Sequence, residues 1–132
     1  MGVQVSETTG TMHIGELADR TGLSLRTLRH YDEVGLVSAS GRTEGGFRLY
    51  TDTDYARLML IRRMKPLGFS LEEMADLLSV IDDLDGDATD SGETLRMKLD
   101  GFTEEAMVRR EKLRSQLAMA DEFLELLRAR QP

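Results

Sequence analysis

From Glu93 to about Ala129 the chain contains no proline, and Leu95, Leu99, Phe102, Ala106, Leu113, Leu117, Ala120, Leu124 and Leu127 recur at three- and four-residue steps. That period places one continuous apolar stripe on a helix. At 1.5 Å per residue the helix is roughly 55 Å long. Such a helix, apolar on one side and charged on the other, is too long to bury its stripe against the residues that precede it, so it requires a partner. Antiparallel pairing with a second copy of the chain meets the requirement and is the reading we prefer; the alternative is a helix folded back on its own domain. The seam is imperfect. Arg109 takes the apolar step between Ala106 and Leu113, and Gly101 costs about 1 kcal/mol relative to Ala in a helix interior, so a kink or break there is compatible with the pattern.

The whole chain has 132 residues, which fits one small domain with this helix as an appendage. The absence of cysteine excludes a disulfide scaffold, thiolate metal sites, iron–sulfur centres and a cysteine nucleophile. The longest apolar runs, such as Leu58-Met59-Leu60-Ile61, fall far short of the roughly 20 residues that span a bilayer. Residues 1–11, MGVQVSETTGT, lack the basic start and apolar core of a secretory signal and read as a disordered leader in a cytoplasmic protein.

A net charge of −7 argues against a nucleic-acid partner until it is divided along the chain. Residues 1–70 carry nine Lys/Arg and eight Asp/Glu (+1), and residues 71–132 carry eight and sixteen (−8). Within residues 20–65 the count is nine basic against five acidic (+4), and all three tyrosines lie there. Anion binding therefore belongs to that window.

The window has a recognisable order. Ile14, Leu17 and Ala18 predict a short helix broken at Thr21-Gly22, and Ser24 caps a second helix that ends near Val34 before Gly35. Two short helices around a Gly-containing turn, over residues 14–34, form a helix-turn-helix. Leu36-Val37 and Phe47-Arg48-Leu49-Tyr50 read as strands closing a hairpin wing over residues 36–50. Thr51 with Asp54 opens a third helix (52–65) that Pro66 and Gly68 terminate, and the capping box Ser70-Leu71-Glu72-Glu73 opens a fourth (71–81). Residues 82–92, with Asp82, Asp83, Asp85, Asp87 and Asp90, form an acidic linker, and residues 93–129 are the long helix. The fold class is mainly α, with a small β-hairpin wing on a winged helix-turn-helix domain.

Ser24, Arg26, Thr27, Arg29, His30 and Tyr31 crowd the second helix, and Arg42, Phe47, Arg48 and Tyr50 crowd the wing. A helix of this kind fits a major groove with its first turn nearest the base edges, while the later side chains meet phosphates. A basic wing reaches the neighbouring backbone or minor groove. The alternative is that Tyr31, Phe47 and Tyr50 are core aromatics and the arginines a solvated face.

Ile14-Gly15-Glu16-Leu17-Ala18, Thr27-Leu28-Arg29-His30-Tyr31-Asp32, Gly35-Leu36-Val37, Arg42, Gly46-Phe47-Arg48-Leu49-Tyr50 and Leu67-Gly68-Phe69-Ser70-Leu71-Glu72-Glu73 together resemble the DNA-binding domain of mercury-resistance-regulator (MerR) type transcription factors. The resemblance covers residues 12–81. It implies a homodimer joined by an antiparallel coiled coil through Leu99, Phe102, Ala106, Leu113, Leu117, Ala120, Leu124 and Leu127. It further implies binding to a pseudo-palindromic promoter operator in double-stranded DNA, which is bent and untwisted for RNA polymerase, with contacts from Arg26, Thr27, Arg29, His30 and Tyr31 in the helix and Arg42, Phe47, Arg48 and Tyr50 in the wing; Ser24 is an added candidate, at the helix N-terminus beside a phosphate. The chain departs from the family pattern at His13, where a Ser or Thr cap is usual, at Ser38-Ala39-Ser40, which lacks a proline and suggests a looser wing, and at Pro66.

Residues 71–132 contain no Cys or His and, as aromatics, Phe102 and Phe123, so the tail offers no thiolate or imidazole metal site and no aromatic cage. No cofactor is expected, no metal is assigned, and the effector stays open. Catalysis is not expected: His13 and His30 lack a matched nucleophile, and Gly41 to Gly46 is followed by Phe47-Arg48 where a P-loop has Gly-Lys-Ser/Thr. The rival readings are an architectural or repressor-only DNA-binding protein and a coiled-coil adaptor.

Overall fold

The turn between the first two helices depends on Gly22, whose φ of 73° lies in the left-handed region that strains any residue with a Cβ. A computed structural model of the chain describes residues 10–86 and 92–132. Strand β1 (Thr11–His13) runs directly into α1 (Ile14–Thr21). His13 sits at the N-cap without a side-chain cap bond, as its departure from Ser or Thr leads one to expect. Buried Thr21 closes the other end, its hydroxyl donating to the Leu17 carbonyl at 2.8 Å and accepting from the Leu23 amide at 3.2 Å.

Helix α2 (Leu25–Glu33) starts at Ser24, whose hydroxyl accepts the Thr27 amide. Gly35, at φ 76°, then reverses the chain. Here the structure differs from the sequence reading. Leu36 and Val37 do not form a strand: both amides donate to the Tyr31 carbonyl, at 2.9 and 3.2 Å, and the Val37 side chain is buried. Amides that close a helix end are not free to pair with a neighbouring strand.

The wing strands are β2 (Gly41–Arg42) and β3 (Arg48–Thr51), and the sheet has three strands in the order β1-β3-β2, all antiparallel. Thr11, assigned to the leader from sequence, pairs with Thr51, and Met12 with Tyr50. Three residues are too short for a period-two pattern to register, which is why β1 escapes a sequence reading. The rest of the leader, residues 1–9, lies outside the described residues.

Helix α3 (Asp52–Met64) opens with the expected capping box between Thr51 and Asp54. Asp54 is buried and also accepts the Ser40 hydroxyl at 2.6 Å, which ties the base of the wing to this cap. The segment Ser38-Ala39-Ser40 is therefore not loose: the Ala39 amide donates to Asp32, and the Ser40 amide to the Leu49 carbonyl. A proline at position 39 would lack that amide. After a 3-10 turn at Lys65–Leu67, α4 (Leu71–Asp85) begins at a reciprocal Ser70/Glu73 box, with bonds of 3.1 and 2.9 Å.

Helix α4 runs to Asp85, four residues beyond the expected end, so Asp82, Asp83 and Asp85 are helical. Aspartate disfavours a helix by only some tenths of a kcal/mol, too little to stop one already propagating. Asp87 and Asp90 of the expected linker lie outside the described residues. The described residues up to Leu78 form one compact unit and those from Ser79 onward a second. The first has a core that includes Leu17, Leu28, Tyr31, Tyr50, Leu58 and Ile61, each at most 3% exposed. In the second, α5 (Gly92–Arg128) spans 37 residues and passes Gly101 without a break. Among the described residues no helix is long and apolar enough to cross a membrane.

Candidate nucleic-acid interface

Leu28 and Tyr31 face the core from α2, so helical spacing turns Arg26, Arg29, His30 and Glu33 to solvent. Ser24 and Thr27 are bonded to each other at the N-terminus, hydroxyl to hydroxyl at 2.9 Å and Thr27 amide to Ser24 hydroxyl at 3.0 Å. An open cleft of about 480 Å³ runs beside the helix, lined by Arg26, Thr27, Arg29, His30, Tyr31, Glu33 and Lys65. Four of those seven carry or can carry positive charge, so the cleft suits an anion.

The wing presents a second cationic edge. Its turn is built by Gly46 at φ 84°, whose amide donates to the Thr43 carbonyl, and by the Thr43 amide donating to the Phe47 carbonyl. Arg42 Nη1 donates to the Gly46 carbonyl at 2.9 Å. Phe47 is 68% exposed. Its ring lies over Gly45, where a Cβ would come within 3.2 Å of Cε2.

Asp32, near the C-terminal end of α2, joins these two edges. Its Oδ2 accepts Arg48 Nε at 2.8 Å and lies 3.6 Å from Arg42 Nη2, and its Oδ1 accepts the Ala39 amide at 2.9 Å. The hydrogen bond from Arg48 holds the Asp32 carboxyl below the usual carboxylate range; the Ala39 amide and the charges of Arg48 and Arg42 add to this, outweighing burial. The same bond pushes the Arg48 guanidinium up. Sequence reasoning did not single out Asp32. A usable signal was present, because an acid at a helix C-terminus opposes the helix dipole and calls for a cationic partner.

Of the ten expected contact residues, Arg26, Thr27, Arg29, His30, Arg42 and Phe47, with Ser24, lie at the surface of α2 and the wing, with Thr27 half-buried. Arg48 is drawn inward, its side chain 23% exposed. Tyr31 and Tyr50, expected at the duplex, are in the core at 3% and 1% exposure, the placement that the alternative reading gave them. Burial pushes both phenols above their ordinary value, and the Tyr50 hydroxyl is enclosed without a hydrogen-bond partner. On α5, Leu99, Phe102 and Ala106 are half-buried, whereas Leu113, Leu117, Ala120, Leu124 and Leu127 are exposed. Arg109 interrupts this stripe and donates Nε to Glu105 at 2.8 Å. Among the described residues no group of three or more His, Cys, Asp or Glu is placed to hold a metal ion.

A family model described as "MerR HTH family regulatory protein" matches residues 12–80, and one described as "MerR, DNA binding" matches residues 55–130. The chain belongs to the MerR family. The mercuric resistance operon regulatory protein of Bacillus cereus is 46% identical to this MerR-family chain over 69 residues, 52% of either protein. The HTH-type transcriptional regulator ZntR of Escherichia coli is 48% identical over 67 residues, 51% of this chain and 48% of ZntR. The chain thus spans about half the length of these curated relatives. Among solved structures, HiNmlR, a MerR family regulator lacking the sensor domain and bound to promoter DNA, shares a TM-score of 0.70 at 26% identity, covering 90% of this chain and 91% of that one.

Proposed function

We propose that this MerR-family chain is a sequence-specific DNA-binding transcriptional regulator that grips a pseudo-palindromic promoter operator as a homodimer. The observation that carries the reading is the cationic surface of α2 and the wing, built on a fold shared with a regulator crystallised on promoter DNA. Arg26 and Thr27 in the first turn of α2 meet base edges in the major groove, while Ser24, Arg29 and His30 meet phosphates. Arg42 and Phe47 extend the grip from the wing, with Arg48 beside them.

Residues 12–81 act as the reading head and 93–129 as the pairing helix, whose exposed leucines support antiparallel association. Two heads at a fixed spacing exchange contacts for DNA deformation, which costs on the order of 1 to 6 kcal/mol for a bend of 40–90°. Bending and untwisting a promoter in this way presents it to RNA polymerase in the cytoplasm. Transcriptional control, not catalysis, is the activity this assigns.

The test is selection of bound fragments from the DNA flanking the gene, followed by affinity measurements over a salt series. The recovered site should be a pseudo-palindrome whose affinity falls steeply with salt. Residues 71–132, at net −8 (eight basic minus sixteen acidic), should add nothing to that slope. Absence of any preferred site would refute the reading, and a flat salt response would favour a protein-binding adaptor.

A further inference from the structure

A carboxylate beside Arg42 and Arg48 is a poor neighbour for phosphate, and the dipole of α2 disfavours it as well. Asp32 nevertheless accepts two hydrogen bonds and forms a further ion pair at 3.6 Å, all with the segment that follows its helix. The Ala39 amide belongs to the approach, Arg42 to β2 and Arg48 to β3. The wing they belong to is slight: β2 has two residues, paired Gly41 with Leu49 and Arg42 with Arg48. Hairpins of this size have little stability of their own. One side chain therefore connects the helix to every part of the wing that leads to its tip.

We propose that Asp32 is a positioning residue that locks the wing to α2, so that Arg42 and Phe47 are held at a set angle to the side chains the helix presents. The inference deepens the proposed function and rests on its DNA-binding reading. Arg48 then works as a strut: its Nε is engaged by Asp32 and its side chain is mostly covered. Arg42 stays half exposed, with Nη1 on the Gly46 carbonyl and Nη2 toward Asp32, and so presents its outer edge to DNA in a fixed direction. Because Arg48 keeps the carboxyl ionised, the lock remains charged at neutral pH.

Charge and positioning make opposite predictions. If Asp32 were merely an anion near DNA, Asp32→Asn would tighten binding to every duplex. If it positions the wing, Asp32→Asn weakens the selected operator on the order of tenfold, as expected for loss of one charge-assisted hydrogen bond, while random duplex is bound as well as before or better. The experiment compares the full chain with Asp32→Asn, Arg48→Gln and the double variant, measuring operator and random-duplex affinity at matched salt. Amide exchange of Ala39, Thr43, Gly46 and Phe47 in the free protein is measured alongside.

We expect both single variants to lose specificity and to speed exchange in the wing but not in α1. The double variant should be little worse than either single, because both remove the same bond. Wild-type wing exchange in both single variants overturns the proposal, and so does equal weakening on both duplexes with α1 still protected. If the wild-type chain selects no operator, the DNA-binding reading fails, and the exchange measurement still decides whether Asp32 holds the wing.

Discussion

Replacing Leu117 by Ala should loosen the proposed dimer by two increments, one from each helix of the pair. Leu117 is 64% exposed in the single chain, so about two thirds of its side chain is available for burial against a partner. Full burial of a leucine contributes roughly 1.5–3 kcal/mol, which scales to about 1–2 kcal/mol per copy and about 2–4 kcal/mol per symmetric dimer. That corresponds to roughly a 30- to 700-fold rise in the dimer dissociation constant. Leu117→Asp adds the cost of desolvating a carboxylate and should leave monomers across the accessible concentration range. Sedimentation over a dilution series reads both changes, and operator binding should weaken in step because a monomer grips one half-site. Val108 supplies the control. It is 65% exposed but lies two residues beyond Ala106, about 200° around the helix from the stripe, so Val108→Asp should leave the mass unchanged. An unchanged dissociation constant for Leu117→Ala, or a loss at Val108 as large as at Leu117, would refute the assignment of this stripe as the pairing surface.

Arg48→Ala should destabilise the head by about 1–2 kcal/mol in chemical denaturation, since it removes a mostly covered charge-assisted hydrogen bond while the Ala39 amide and Arg42 continue to serve Asp32. No change in stability would return Arg48 to the exposed role expected from sequence. The Asp32 carboxyl titrates below its ordinary 3.8 in the folded chain, so its contribution is present above that value and is lost as pH falls through the lower folded value. Denaturation of Asp32→Asn and wild type should accordingly converge below about pH 4, and a constant difference down to pH 2 would contradict the sign of the shift. Gly101→Ala should stabilise α5 by about 0.5–1 kcal/mol, because the helix is unbroken there and nothing lies within 4 Å of the added Cβ. A lowered thermal midpoint would mean that the position meets a partner chain.

Much of the head was legible because its signals are local. Ser24, Thr51 and Ser70 cap helices where their hydroxyl chemistry predicts, and Gly22, Gly35 and Gly68 lie in the left-handed region where helices or turns end. What escaped depends on partners distant in sequence. Strand β1 exists because Thr11 and Met12 find Thr51 and Tyr50 some 40 residues later. Leu36-Val37 has strand composition, yet its amides are taken by Tyr31. The five carboxylates from Asp82 onward read as a linker by composition, while α4 continues through the first three.

By itself the sequence determined the order of the helices and where their caps begin them, the division of charge between residues 1–70 and 71–132, and a long apolar stripe, since caps and periods involve residues within a turn or two of one another and charge is a simple count. The tertiary structure alone decided which charged and aromatic side chains of the head face outward. Tyr31 and Tyr50 are apolar enough to complete the core, Phe47 sits at a turn too short to cover it, and Arg48 is drawn in by a carboxylate sixteen residues away. Local pattern cannot distinguish an aromatic in the core from one on a wing, because that choice is made by whichever surfaces the folded chain brings against it.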